Sequence, residues 1–86
     1  MLERRLIEVD GMVQGVGFRP YVHRLAVERD LRGFVQNGVT SVLIDVEGDS
    51  SGLDAFCRAL TDSPPPLSRI GGVRISSATP RAYAAF

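Results

Sequence analysis

A stretch of 86 residues, 44% apolar and 23% charged, has the make-up of one water-soluble globular domain with a thin core, and not of a disordered or membrane-spanning chain. Ten arginines balance ten acidic residues and lysine is absent, so no overall field draws in nucleic acid and any anion must be recognised locally. Cys57 is the single cysteine, too few for an internal disulfide or a zinc site; with no apolar leader and no apolar run of about 18 residues, a cytoplasmic protein without a membrane span is expected.

Residues 5–9, RLIEV, put Ile7 and Val9 on one face and Glu8 on the other, the pattern of a short half-buried strand. Gly11 ends it, and the loop QGVGFRP follows. Val22, Leu25 and Ala26 then recur at helical spacing, predicting a helix over residues 20–30. Residues 33–37 and 41–47 are aromatic and β-branched runs joined by Gly38-Val39-Thr40, which reads as a hairpin with Val42, Ile44 and Val46 on one face. Ser51 and Asp54 have the spacing of a capping box, and Leu53, Phe56, Cys57 and Leu60 continue as an amphipathic helix that Ser63-Pro64-Pro65-Pro66 stops. Residues 72–77 alternate again, and residues 83–86 have the look of a further strand. The order βαββαβ predicts an α+β, ferredoxin-like sandwich, two helices on one face of an antiparallel sheet. That architecture hosts enzymes, ligand sensors and RNA-binding modules alike, so the fold does not decide the activity.

The loop is the distinctive stretch. Gly15 and Gly17 permit backbone conformations closed to other residues, so consecutive N–H groups can converge on an anion, and the following helix adds the positive end of its dipole. Pro20 suits the first helical position, which would hold Arg19 just outside the helix in an extended, cap-like conformation where its guanidinium can grip a phosphate through two parallel bonds. The same pattern also serves as a plain strand-to-helix turn with a solvated arginine.

Val13-Gln14-Gly15-Val16-Gly17-Phe18-Arg19, then Leu31-Arg32-Gly33-Phe34-Val35-Gln36-Asn37, then Val46-Glu47-Gly48, closely resemble the acylphosphatase family over nearly the whole chain. Within it, Pro20-Tyr21-Val22 and Pro65-Pro66-Leu67-Ser68-Arg69-Ile70 are most similar to the branch found as the amino-terminal domain of hydrogenase-maturation carbamoyltransferases of the HypF type; a free-standing acylphosphatase is the alternative. The chain departs from the family pattern at Ser41, near a usual glycine, and at Phe34, where many members have tryptophan.

The resemblance implies that Arg19 and the backbone of Gln14, Gly15, Val16, Gly17, Phe18 and Arg19 bind the phosphoryl group of an acyl phosphate while Asn37 positions the attacking water. An acyl phosphate already carries a good leaving group, so orientation and charge stabilisation are what remain to be supplied. An amide donates and accepts without titrating, and the water's proton goes to the substrate's own phosphate oxygen. In the HypF setting the substrate is carbamoyl phosphate and the partners are the remaining domains of a larger carbamoyltransferase. Neither metal nor cofactor is expected, nor nucleic acid, and the domain alone is expected to be a monomer. The rival to catalysis is a non-catalytic anion-binding domain. An RNA-binding reading of Arg32-Gly33-Phe34-Val35 lacks the stacking aromatics. His23 reads as an exposed helix residue, Cys57 as core, and Arg69 and Arg74 as surface.

Overall fold

The alternating runs become the strands of a single sheet in the computed structural model, which describes residues 2–64 and 68–86. Strand β1 spans Leu2–Met12, helix α1 Phe18–Glu28, β2 Arg32–Asn37, β3 Ser41–Asp49, helix α2 Ser50–Asp62 and β4 Arg69–Ala78. The sheet order is β2-β3-β1-β4 and each neighbouring pair is antiparallel, which is the ferredoxin-like sandwich. β1 outruns the apolar stretch that marked it, and runs on through Gly11, which was expected to end it, because it is central and β4 pairs with it past an irregularity at Asp10 and Gly11. Its ladder to β3 runs from Leu2 opposite Asp49 to Asp10 opposite Ser41, and β4 continues the pairing to Met12 opposite Arg69.

Ile7, Val9, Val42, Ile44 and Val46 are buried on the sheet face that both helices cover, against Phe18, Val22, Leu25 and Ala26 of α1 and Leu53, Phe56 and Leu60 of α2. Period-two strands and 3.6-residue helices thereby bury their apolar sides in one core. Cys57 is half-buried at the margin of that core. No described helix is long and apolar enough to cross a membrane.

Three further expectations about element ends are corrected. Helix α1 starts at Phe18, two residues before Pro20, so Arg19 lies inside the first turn rather than outside it. Pro20 is tolerated at the third helical position because first-turn N–H groups have no intrahelical acceptor. The box of Ser51 and Asp54 does not form. Helix α2 begins at Ser50 with Asp49 at the cap position, and the Asp54 carboxylate is drawn away to Arg5 of β1 at 2.9 Å.

Residues 83–86 form no strand. Glu47 of β3 accepts the N–H groups of Arg81 at 2.9 Å, Ala82 at 3.2 Å and Tyr83, and Ala82 takes a left-handed φ of 57°. This bend spends the backbone donors a strand would need, leaving, among the described residues, a single ladder-like bond from Gly33 N–H to the Ala85 carbonyl at 3.1 Å. The stretch Pro65-Pro66-Leu67 lies outside the described residues.

Candidate active site

The β1–α1 loop is shaped by two glycines and pinned by the residues between and after them. Gly15 has φ 73° and Gly17 has φ 79°, left-handed values that a residue with a Cβ rarely adopts. A Cβ at either position would meet no atom within 4 Å, so conformation rather than space demands glycine. Val16 packs against the core, and Phe18 is buried with its ring 5.7 Å from that of Tyr21. Gly17 is the helix cap, and its carbonyl receives the first intrahelical bond, from Tyr21 N–H at 3.2 Å. No acceptor among the described residues takes the N–H groups of residues 15 to 19. They form a run of donors at the positive end of α1.

Arg19 is exposed at that end with no ion pair or hydrogen bond to the described residues. Arg4, Arg5, Arg29 and Arg74 are each matched to a carboxylate, while Arg24, Arg32, Arg58, Arg69 and Arg81, like Arg19, have no ion pair among the described residues. Asn37 closes β2 opposite Val42, exposed, with its side-chain amide likewise unpaired among the described residues.

The loop and the hairpin are joined by Gln14. Its side-chain nitrogen donates to the carbonyls of Gly38 at 3.0 Å and Ser41 at 2.7 Å, bringing the residue before Gly15 against the residue after Asn37. Ser41 explains its own departure from the family pattern. It is buried, its hydroxyl donates to Glu8 at 3.1 Å, and its carbonyl also accepts the Gly38 N–H at 2.7 Å. Gly38 is small for the same reason, since a Cβ there would come within 2.8 Å of Ser41 Oγ. Glu8 is held below the usual carboxylate range by Arg74 and then by Ser41. Sequence reasoning gave Ser41 and Glu8 no such role; Glu8 opposite the apolar face of its strand was the only signal.

Of the other residues singled out, Arg74 reaches this cluster through Glu8, and the rest have no hydrogen bond or ion pair to it among the described residues. His23 is exposed on α1 with its ring 5.7 Å from that of Phe86, and Cys57 lies 3.8 Å from an Arg5 nitrogen. Arg69 is exposed, while Arg74, also exposed, is tied to Glu8 and Asp10. Phe34, half-exposed, meets Tyr83 edge-on at 6.0 Å and helps to line a shallow groove of about 720 Å³ on the helix-free side of the sheet.

The profile of the acylphosphatase family matches residues 6–86. The chain belongs to the acylphosphatase family. This acylphosphatase-type hydrolase domain is 37% identical over 81 residues to an acylphosphatase of Thermotoga maritima, covering 93% of the present chain and 89% of that protein. It is also 51% identical over 72 residues to the carbamoyltransferase HypF of Rhodobacter capsulatus, covering 84% of the present chain but only 9% of that one. Among solved structures, full-length HypF in a phosphate- and nucleotide-bound form superposes with a TM-score of 0.98 at 36% identity, over 100% of this chain and 11% of the other. The acylphosphatase of Bacillus subtilis superposes with a TM-score of 0.87 at 35% identity, over 96% and 92%. The acylphosphatase domain thus spans about a tenth of the HypF chains it resembles and most of the free acylphosphatases.

Proposed function

We propose that this domain hydrolyses carbamoyl phosphate to carbamate and phosphate, as the first step of carbamoyl transfer in [NiFe]-hydrogenase maturation, and that it works in the cytoplasm as one unit of a larger carbamoyltransferase. The observation that carries the acyl-phosphate reading is the run of acceptor-free N–H groups at residues 15 to 19, held beside the hairpin of Asn37. A phosphoryl group offers three equatorial oxygens, and the N–H groups and Arg19 are donors suited to them. Their donors are in place before reaction, so charge developing on those oxygens is met without reorganisation. Asn37 holds water in line with the departing carbamate, and the water's proton passes to a phosphate oxygen. The higher identity to HypF than to the free enzyme favours carbamoyl phosphate over carboxylic acyl phosphates.

The near-complete overlap with a free acylphosphatase supports a second reading, hydrolysis of carboxylic acyl phosphates by the domain alone. Phosphate release from carbamoyl, acetyl and benzoyl phosphate, measured side by side, separates the two. Preference for carbamoyl phosphate is expected. Turnover of acetyl and benzoyl phosphate alone would establish the second reading, and no turnover of any, with phosphate still bound, would make the domain a non-catalytic anion site.

A further inference from the structure

Gln14 spends its donors away from the phosphoryl site. An amide nitrogen has two hydrogens, and those of Gln14 go to the carbonyls of Gly38 and Ser41. The Ser41 carbonyl is the one that closes the hairpin by accepting the Gly38 N–H. Gln14 therefore grips the turn at its closing bond, one residue from Asn37, while its own backbone leads directly into Gly15. Behind the turn, Ser41 is anchored to Glu8 of β1, and Glu8 to Arg74 of β4, so the gripped platform is fixed across the sheet.

We infer that Gln14 is a positioning residue, setting the separation between the donors that hold the phosphoryl group and the Asn37 amide that holds the attacking water. The inference rests on the acyl-phosphate reading and deepens it. Without these two bonds the loop still folds around its glycines and still offers its N–H groups, but the hairpin carrying Asn37 is free to shift. An in-line attack is sensitive to such a shift, and a displacement near 1 Å lowers a rate roughly a hundredfold.

The test is steady-state hydrolysis of benzoyl phosphate by the 86-residue chain, with inorganic phosphate as competitive inhibitor, for Gln14→Ala, Asn37→Ala and the double variant. Gln14→Met, which keeps length and packing while removing both donors, replaces the alanine variant if that one does not fold. The expected result is a kcat lower by roughly ten- to a hundredfold with phosphate inhibition changed by less than about threefold. In the Asn37→Ala background the Gln14 substitution adds no further loss, because two residues acting through one step are not additive. Wild-type kcat in the Gln14 variant, with Asn37→Ala inactive, overturns this inference alone. Parallel loss of phosphate inhibition overturns it by making Gln14 a phosphoryl ligand, and full additivity by making it a general stabiliser. Wild-type turnover in Asn37→Ala removes the underlying reading as well.

Discussion

At the α2 end of the sheet the N–H groups of Arg81, Ala82 and Tyr83 converge on Glu47, whereas at the hairpin end the N–H groups of residues 15 to 19 find no acceptor among the described residues. Both nests use left-handed residues, Ala82 in one and Gly15 and Gly17 in the other. Arg4 forks onto Asp45 at 2.8 and 2.7 Å beside Tyr83, while Arg19 has no such mate. The difference lies in what β3 presents. It offers the carboxylate of Glu47 at one end and, six residues away or roughly 20 Å along the strand, Ser41 at the other. A nest filled by the chain's own carboxylate is an anchor, here burying Glu47 to 1% exposure and holding the last eight residues across the sheet. The N–H groups of residues 15 to 19, with no acceptor among the described residues, are the donors that the proposed function assigns to a phosphoryl group.

The sharpest way to break this contrast is to truncate each end in turn. Arg19→Ala or Asn37→Ala is expected to lower acyl-phosphate turnover by about a hundred- to a thousandfold, roughly 3 to 4 kcal/mol in the barrier, with an unchanged melting temperature. Normal turnover in either folded variant would remove the site assignment. Glu47→Ala should do the reverse, leaving kcat intact while costing about 2 to 3 kcal/mol of stability, because three donors lose a charged acceptor. Its melting point should fall by roughly 10 °C or more for a domain of this size, and an unchanged melt would show that Glu47 is no anchor.

The anchor end also responds to acid. Hydrogen bonds from Arg4, helped by Tyr83, hold the Asp45 carboxyl below its ordinary value of 3.8 against the upward push of burial. A depressed carboxyl stabilises fully above its unfolded value, so this contribution is intact at neutral pH and is lost as the pH falls below about 4 towards the folded value. Wild type should therefore melt higher than Asp45→Asn at pH 7, with the gap narrowing below pH 4. A constant gap would exclude the linkage. The smallest expected effect is that of Ser41→Ala, about 1 kcal/mol of stability from one hydroxyl bond, read by denaturant unfolding.

Local pattern carried most of the fold. Alternation exposed the strands, the 3.6-residue recurrence exposed both helices, and the glycines and arginine of QGVGFR marked the loop, since each of these signals depends on near neighbours in the chain. The start of α1 was misplaced by a local cap at Gly17, and the other errors fell where a distant residue intervened. Asp54 suits a capping box until Arg5, on strand β1, claims it, and residues 83–86 have the look of a strand until Glu47 takes the N–H groups of Arg81, Ala82 and Tyr83. Alternation places Asp45 and Glu47 on the helix-free side with nothing to indicate a cover, yet both are buried beneath the carboxy-terminal segment. Gln14 was legible as part of the loop, but its partners lie 24 and 27 residues away.

Sequence by itself determined the sandwich, because periodicity and glycine conformation are local properties, and the family, because its motifs stand in the chain in order; Arg19 and Asn37 are proposed for phosphoryl and water on that resemblance. Tertiary structure decided which of two runs of backbone N–H groups finds an acceptor among the described residues. That outcome depends on whether register brings a carboxylate of the same chain opposite the N–H groups, and register belongs to the pairing of strands rather than to any stretch of residues.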